Sequence, residues 1–423
     1  MSTLNRQIGI LSGTTIAISM VIGSGLLGLP GVVIDEVGPQ VALYGWFAIV
    51  LFMLPMLFVF TKLGLLFPKV GGLSYYAEIA LGPWAKSSVV VVLVGTFFLG
   101  IPALALIGAA YAAKAFNLSG GLYVGIIAAG FLLMSVAINI SGVTVTSAVN
   151  SISIFFVLAV VAMVALGNIT FISKGFSSLA YGDHSTFSFK SLWSAFSLIF
   201  WAFLGWENLS FGLEEFKNPR RTIPIVYVMS FAIVLVLYWV LALAASGASL
   251  SGMSVSGAAG LSVLFPPSVQ FIMVGLVAIV ILANANSWVF GCSRLVYSGG
   301  EGGILPSFLG KLDSRQIPRN SLVFMGLVFT IIISIMTLLE IPVSVIVKLV
   351  SQNFVVLFGV SIIAFYKSSA KNVLTLILTC LATCSCLFLI SGFTIWITYP
   401  VALMTIGYFR YRQISVTPKP VKC

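Results

Sequence analysis

Charge is scarce in this sequence: Asp, Glu, Lys and Arg make up 7% of its 423 residues, against roughly 25% in soluble domains. That shortage argues against a soluble protein, because apolar runs of about 20 residues, long enough to span a bilayer, recur from end to end. No stretch is polar and long enough to bury a soluble core of its own. Acidic residues number 10 and histidines one, so a membrane-embedded enzyme, which needs His, Asp or Cys clustered at a membrane face, has little to be built from. The lone histidine, His184, lies in a polar loop and reads as solvated, without a metal or proton-relay role. Three of the five cysteines, Cys380, Cys384 and Cys386, fall within one apolar run, which argues against a disulfide framework. Missing too is a basic N-terminal stretch leading into a short apolar run and a small-residue cleavage site, so the first apolar run is expected to be a retained span.

What charge there is follows topology. The net charge is +11, yet the cations form no single basic face, and a nucleic-acid partner is not expected. With a cytoplasmic N-terminus, Arg6, Lys62, Lys69, Lys86, Lys217, Arg220, Arg221, Arg294, Lys311, Arg315, Arg319, Lys367, Lys371, Arg410, Arg412, Lys419 and Lys422 fall at the inner side. Of 21 cations, that leaves four elsewhere, Lys114, Lys174, Lys190 and Lys348. The positive-inside rule then predicts that both termini are cytoplasmic.

Hydropathy predicts an all-α membrane protein of twelve helices, over about residues 8–34, 39–67, 87–115, 121–140, 145–169, 192–214, 225–245, 270–297, 321–339, 343–366, 373–390 and 392–409. Residues 68–84, with Pro68, Gly71, Gly72, Gly82 and Pro83, are expected as an interfacial helix flanked by turns. Residues 170–190 are expected as an outer loop. The whole, 1–423, reads as a single unit, with helices 1–5 over about 8–169, 6–10 over about 190–366 and 11–12 over about 372–409.

Two places interrupt this regularity, Val21-Ile22-Gly23-Ser24-Gly25 with Pro30 in helix one and Trp201-Ala202-Phe203-Leu204-Gly205-Trp206-Glu207 in helix six. They open two sets of five helices, and because five is odd the second set enters the membrane from the opposite side, which makes an inverted repeat whose breaks meet near the midplane. Irregular backbone at that depth is tolerated only where it faces protein or a water-filled cavity. An unwound segment offers N–H groups at one half-helix end and carbonyls at the other, complementary to a carboxylate and an ammonium. The amides of Gly23, Ser24 and Gly25, with the Ser24 hydroxyl, are therefore candidates for a carboxylate, and carbonyls near Trp201, Ala202 and Leu204 for an amine. Close packing of small residues is the competing reading of Gly23 and Gly25.

Glu207 is the one acidic residue placed well inside a span, and such a residue is a functional candidate by default. It reads either as a proton-binding group or as a carboxyl that satisfies unwound N–H groups. Helix five offers Asn150, Ser151 and Ser153 but no cation. Trp201, Trp288 and Ile101 are candidate pocket walls, together with Val21 and Gly205 beside the breaks, whereas Trp206 is expected to pack against lipid or helices.

Ile22-Gly23-Ser24-Gly25, Phe203-Leu204-Gly205-Trp206-Glu207, Glu215-Phe216-Lys217-Asn218-Pro219-Arg220-Arg221, Pro68-Lys69-Val70-Gly71-Gly72 and Gly303-Ile304-Leu305-Pro306 together resemble the amino acid-polyamine-organocation superfamily over nearly the whole chain. The resemblance implies a LeuT-like fold, five plus five inverted helices with two added, and alternating-access transport. Gly100-Ile101-Pro102-Ala103 and Ser314-Arg315-Gln316-Ile317-Pro318-Arg319-Asn320 are similar to the bacterial exporters of methionine and branched-chain amino acids. By position, the resemblance implies carboxylate binding around Ser24, substrate contact or gating at Trp201 and Trp288, and a pH-responsive Glu207. Apolar Ile101 departs from members that carry cationic substrates, and the helix-five lysine of some proton-coupled members is missing.

The reading that follows is a secondary transporter of neutral apolar amino acids (methionine, leucine, isoleucine, valine) in the bacterial inner membrane, exporting at the expense of the proton gradient, without cofactor or metal. A proton-coupled importer of the same fold is the alternative. A channel would instead need polar residues recurring along several helices. Oligomeric state is left open.

Overall fold

The computed structural model describes residues 8–68, 72–141, 143–182, 187–210, 213, 216–393 and 395–416. Lys69, Val70, Gly71, Asp183, His184, Glu214 and Glu215 lie outside the described residues, as do the side chains of Ser24, Asn150, Ser151 and Ser153.

The described residues fold almost entirely as helices. Helix α1 (Ile10–Val21) starts where the Ser12 hydroxyl accepts from Gly9 N at 3.0 Å and stops at Ile22, whose φ of −79° and ψ of 120° are extended. After Gly23 comes the single turn α2 (Ser24–Leu27) and then α3 (Leu29–Leu66). Gly38, with φ 80° and ψ 161°, interrupts α3 just before Pro39. The expected boundary between helices one and two falls there.

Helix α4 (Gly72–Leu81) forms where a short helix between turns is expected, set off from α5 (Pro83–Ala115) by Gly82 at φ 96°. Next are α6 (Gly121–Ser141) and α7 (Val143–Gly167). Residues 170–181, expected as loop, instead belong to α8 (Ile169–Tyr181), bent 79° from the end of α7. Its polar and apolar residues alternate at helical spacing, so it is too polar for a span but suited to lie on α3 and α11. Tyr44 donates to Leu179 O, and Gln40 donates to Ser178 O at 2.7 Å. Helices α4 and α8 thus mark opposite ends of the second part of α3 and define two faces, an α4 face and an α8 face.

Helix α9 (Phe189–Ala202) opens on Ser188, whose hydroxyl accepts from Ser191 N at 3.1 Å. It ends in a tightened turn, Phe203 N to Phe200 O at 3.0 Å and Leu204 N to Trp201 O at 3.2 Å, before the short α10 (Trp206–Leu209). The rest is α11 (Pro219–Ser249), a 3-10 turn (Gly260–Leu264), α12 (Gln270–Glu301), α13 (Arg319–Leu338), α14 (Val343–Ser368), α15 (Val373–Ser391) and α16 (Thr398–Val416). The last begins later than expected, because residues 395–397 form a 3-10 turn.

Among the described residues, eight helices are long and apolar enough to cross a membrane, or nine if Phe155–Gly167 and Ile169–Tyr181 make one bent span. The core is built around α5, which is buried along most of its length, with α12, α14 and the two broken pairs packed on it. Helices α13, α15 and α16 present exposed leucines and isoleucines outward, as lipid-facing helices do.

Candidate functional site

Breaking a helix in an apolar setting frees backbone groups that must find partners, each costing about 1–3 kcal/mol if buried unpaired. Named side chains supply them here. At the carbonyl end of α1, Asn284 of α12 donates through Nδ2 to Ser19 O at 3.3 Å and Ile22 O at 3.2 Å. Tyr111 of α5 donates to Leu27 O at the end of α2. Tyr238 of α11 donates to Ala202 O and reaches Val21 O at 3.5 Å, so one hydroxyl touches both breaks. In the second break, Glu207 Oε1 accepts from Gly205 N at 2.9 Å.

The two breaks interlock through their glycines. A Cβ on Gly25 would stand 2.7 Å from Ala202 Cα, and one on Gly205 2.7 Å from Met20 O and 3.0 Å from Val21 Cα. Gly205 also has φ 130°, a backbone conformation that side-chain-bearing residues rarely adopt. A Cβ on Gly23 would lie 2.0 Å from Asn284 Oδ1, so that glycine makes room for the asparagine. Close packing, one of the two readings of Gly23 and Gly25 from sequence, is seen at both.

Beside the crossing lies a small cavity of about 30 Å³. Six of the residues singled out from sequence line it: Val21, Gly25, Ile101, Trp201, Leu204 and Trp288. Gly23, Ala202, Gly205 and Glu207 do not; they sit behind it, holding the breaks together. The remaining lining comes from Thr96, Phe97, Gly100 and Leu104 on α5, Asn284 on α12, and Val350 and Phe354 on α14. Sequence reading overlooked these seven. Asn284 carried a signal, an amide in the middle of an apolar run. Phe97, Val350 and Phe354 carried none, since lipid-facing residues have the same character.

The cavity has an aromatic residue at each end. Trp201 lies over α5, its Cη2 3.3 Å from where a Gly100 Cβ would be. Phe97 and Trp288 meet edge to face, centroids 5.4 Å apart, at the end nearer α4. Trp206 is turned away, buried against Phe231 with centroids 5.7 Å apart, as its packing role predicts. The polar lining side chains are engaged: Thr96 donates to Val92 O at 2.6 Å and accepts from Asn353 Nδ2 at 3.0 Å. No ionisable side chain is among the lining residues.

Glu207 is fully buried, and its Oε2 has no hydrogen-bond partner among the described residues. One oxygen thus satisfies the unwound Gly205 N–H. Toward the α8 face, Glu36 of α3 accepts from Lys348 Nζ of α14 at 2.6 Å and from Ser194 Oγ of α9 at 2.9 Å, tying three elements together beyond the Trp201 end. Next to it, Asp35 accepts from Gly257 N in the segment that leads to the 3-10 turn.

The family model described as amino acid permease matches residues 8–414. The chain is 25% identical over 416 residues to an uncharacterized amino acid permease, YecA, of Bacillus subtilis, covering 96% of this chain and 95% of that one. It is 24% identical over 329 residues to the L-methionine/branched-chain amino acid exporter YjeH of Escherichia coli, covering 76% of each. It is 27% identical over 354 residues to the b(0,+)-type amino acid transporter 1 of Mus musculus, covering 78% of this chain and 70% of that one. Among solved structures, MhsT in complex with L-phenylalanine superposes with a TM-score of 0.65 at 14% identity, over 96% of this chain and 99% of that one. The shared fold is LeuT-like, all-helical and membrane-embedded, as the sequence predicts.

Proposed function

The chain belongs to the amino acid permease family, and from that premise we propose that it is a secondary transporter of neutral, apolar amino acids of the methionine, leucine, isoleucine and valine class. The carrying observation is the cavity at the crossed breaks, walled by Ile101, Trp201, Trp288, Val350 and Phe354 without an ionisable side chain. A cationic side chain would be buried there without a counter-charge, at a cost of several kcal/mol. Gly25, which borders the cavity, and the adjoining Ser24 meet the substrate carboxylate, and the carbonyl of Leu204 in the helix-six break meets its ammonium. Twelve spans follow when each broken pair counts as one crossing, α1 with the first part of α3 and α9 with α10. The chain forms a single transport unit.

The α4 face is the cytoplasmic one, with both termini there, in a bacterial inner membrane. Lys86, Arg315, Lys367 and Arg410 support this: Lys86 and Lys367 tie α5 and α14 to α4, Arg315 ties the 311–317 loop to the end of α6, and Arg410 ties α16 to the segment after α12. Lys174 and Lys348 lie toward the α8 face. Transport is outward, in exchange for protons taken up through Glu207. The unit carrying the two breaks rocks against the remaining helices about the fixed cavity.

A thermal-shift screen of the purified protein against the common amino acids tests the substrate class: methionine, leucine, isoleucine and valine raise the unfolding temperature and arginine does not. Greater stabilisation by arginine or putrescine overturns the proposal. Direction is read in proteoliposomes, where accumulation driven by an inside-alkaline gradient would replace export with import.

A further inference from the structure

A helix that ends inside an apolar core leaves carbonyls pointing past its last turn, with the negative end of its dipole behind them. In transporters built on broken helices, such carbonyl ends are where coupling cations bind. The end of α1 has this form. Ile22 is extended, so its carbonyl leaves the helical ladder, and Ser19 O, three residues earlier, lies on the same side.

Both carbonyls are nevertheless already served. A carboxamide NH₂ has two hydrogens, and Asn284 Nδ2 lies 3.3 Å from Ser19 O and 3.2 Å from Ile22 O, one hydrogen for each. The asparagine is 5% exposed. It can seat there because residue 23 is glycine, where any side chain would begin 2.0 Å from Asn284 Oδ1. Gly23 and Asn284 therefore form a matched pair, one vacating the space that the other fills.

We infer that the Asn284 amide stands where a coupling cation would bridge α1 and α12, so that the seam between them is held by a neutral donor and the transport cycle runs without sodium. The seam carries no net charge in this arrangement. Coupling then falls to the other break, where Glu207 is buried with one oxygen unpaired. Because Asn284 also borders the cavity, the amide links the order of the α1 end to substrate occupancy. This deepens the proton-driven reading above and rests on it for the role of Glu207, but not for the sodium test.

The test compares the purified, full-length protein in sodium chloride and in choline chloride at equal ionic strength. For the wild type, the unfolding temperature and the rate of labelled leucine or methionine transport are the same in both salts. Asn284→Ser replaces the two amide hydrogens with one shorter hydroxyl and leaves a small oxygen-lined gap. In choline its transport falls by about tenfold, the effect of unpairing a buried carbonyl. Sodium then restores transport in part and raises the unfolding temperature. The isosteric Asn284→Asp responds to sodium in the same direction, and serves if the serine variant does not fold. A wild type that is stabilised or accelerated by sodium overturns the inference. So do variants that keep full transport in choline, or that lose transport with no response to sodium, since a merely structural amide would behave so. The thermal measurement needs no substrate, so its outcome stands even if the proposed substrate class fails.

Discussion

Gly25 of α2 lies so close to Ala202 of α9 that a Cβ on the glycine would stand 2.7 Å from the alanine Cα. The reciprocal approach, Gly205 onto Met20 and Val21, makes the two broken helices a single interlocked unit. Gly25→Val forces the backbones apart where the cavity wall is made. The expected outcome is a protein that still inserts but shows no thermal shift with leucine or methionine. Normal ligand-induced stabilisation in this variant would remove the helix-one break from the site.

Gly205→Ala combines a Cβ clash with backbone strain worth about 1–3 kcal/mol on its own. Its unfolding temperature is expected to drop even without ligand. Thermal denaturation in detergent checks this, with Gly130→Ala as control, since a Cβ there meets nothing within 4 Å.

Glu207→Gln keeps an oxygen for Gly205 N but removes the titratable proton. Transport should persist with a flattened dependence on pH, whereas Glu207→Ala leaves the Gly205 N–H unpaired and destabilises by about 1–3 kcal/mol. Transport rates over a series of buffered pH values separate the two roles. A Gln variant with the wild-type profile would confine Glu207 to holding the backbone.

Ile101→Ala deepens the cavity beside Gly100 and Trp201. Losing apolar contact of this size is worth about 1–3 kcal/mol in a side-chain pocket. Leucine affinity should fall by roughly tenfold or more on that scale while the larger phenylalanine gains. Competition against a labelled substrate reads both changes.

The Glu36–Lys348 pair is partly exposed, so its direct contribution is small, about 0.2–1 kcal/mol. Reversing either charge places like charges together at the Trp201 end and should slow transport. The double swap Glu36→Lys with Lys348→Glu should recover most of the rate. A double-mutant cycle on transport rate measures the coupling, and additive effects would show that the pair does not act as one.

Asp313, in the loop before α13, accepts from Ile317 N and Arg315 N, both at 2.9 Å. The Ile317 amide first, then the Arg315 amide and the charges of Arg315 and Arg319, hold its carboxyl below the ordinary 3.8. The folded loop therefore gains stability above that value and loses it as pH falls through the lowered one. Amide exchange at Arg315 and Ile317 should stay protected from neutral pH down to the ordinary carboxylate range and open only in stronger acid.

Much of this was legible in the chain itself. The breaks at Gly23 and Gly205 could be seen because glycine and a carboxylate are conspicuous in apolar runs. Ile101, Trp201 and Trp288 were within reach because they adjoin such interruptions or stand out among aliphatic neighbours. Helix α8 was missed because its amphipathic pattern resembles a polar loop in a hydropathy reading. Val350 and Phe354 were missed for the opposite reason: in a bilayer, the side of a helix that faces protein and the side that faces lipid are both apolar.

The sequence by itself determined the class of the protein, because scarce charge and repeated apolar runs leave a chain no stable home but a bilayer. It also determined where the helices must break. Only tertiary structure decided which donors answer the freed carbonyls: Asn284 for those of α1, and Tyr238 for both crossings. The reason is physical. A freed carbonyl demands some donor, which the local sequence announces, but the donor comes from a helix tens or hundreds of residues away, and packing alone selects it. The breaks were written locally; the donors to their carbonyls were not.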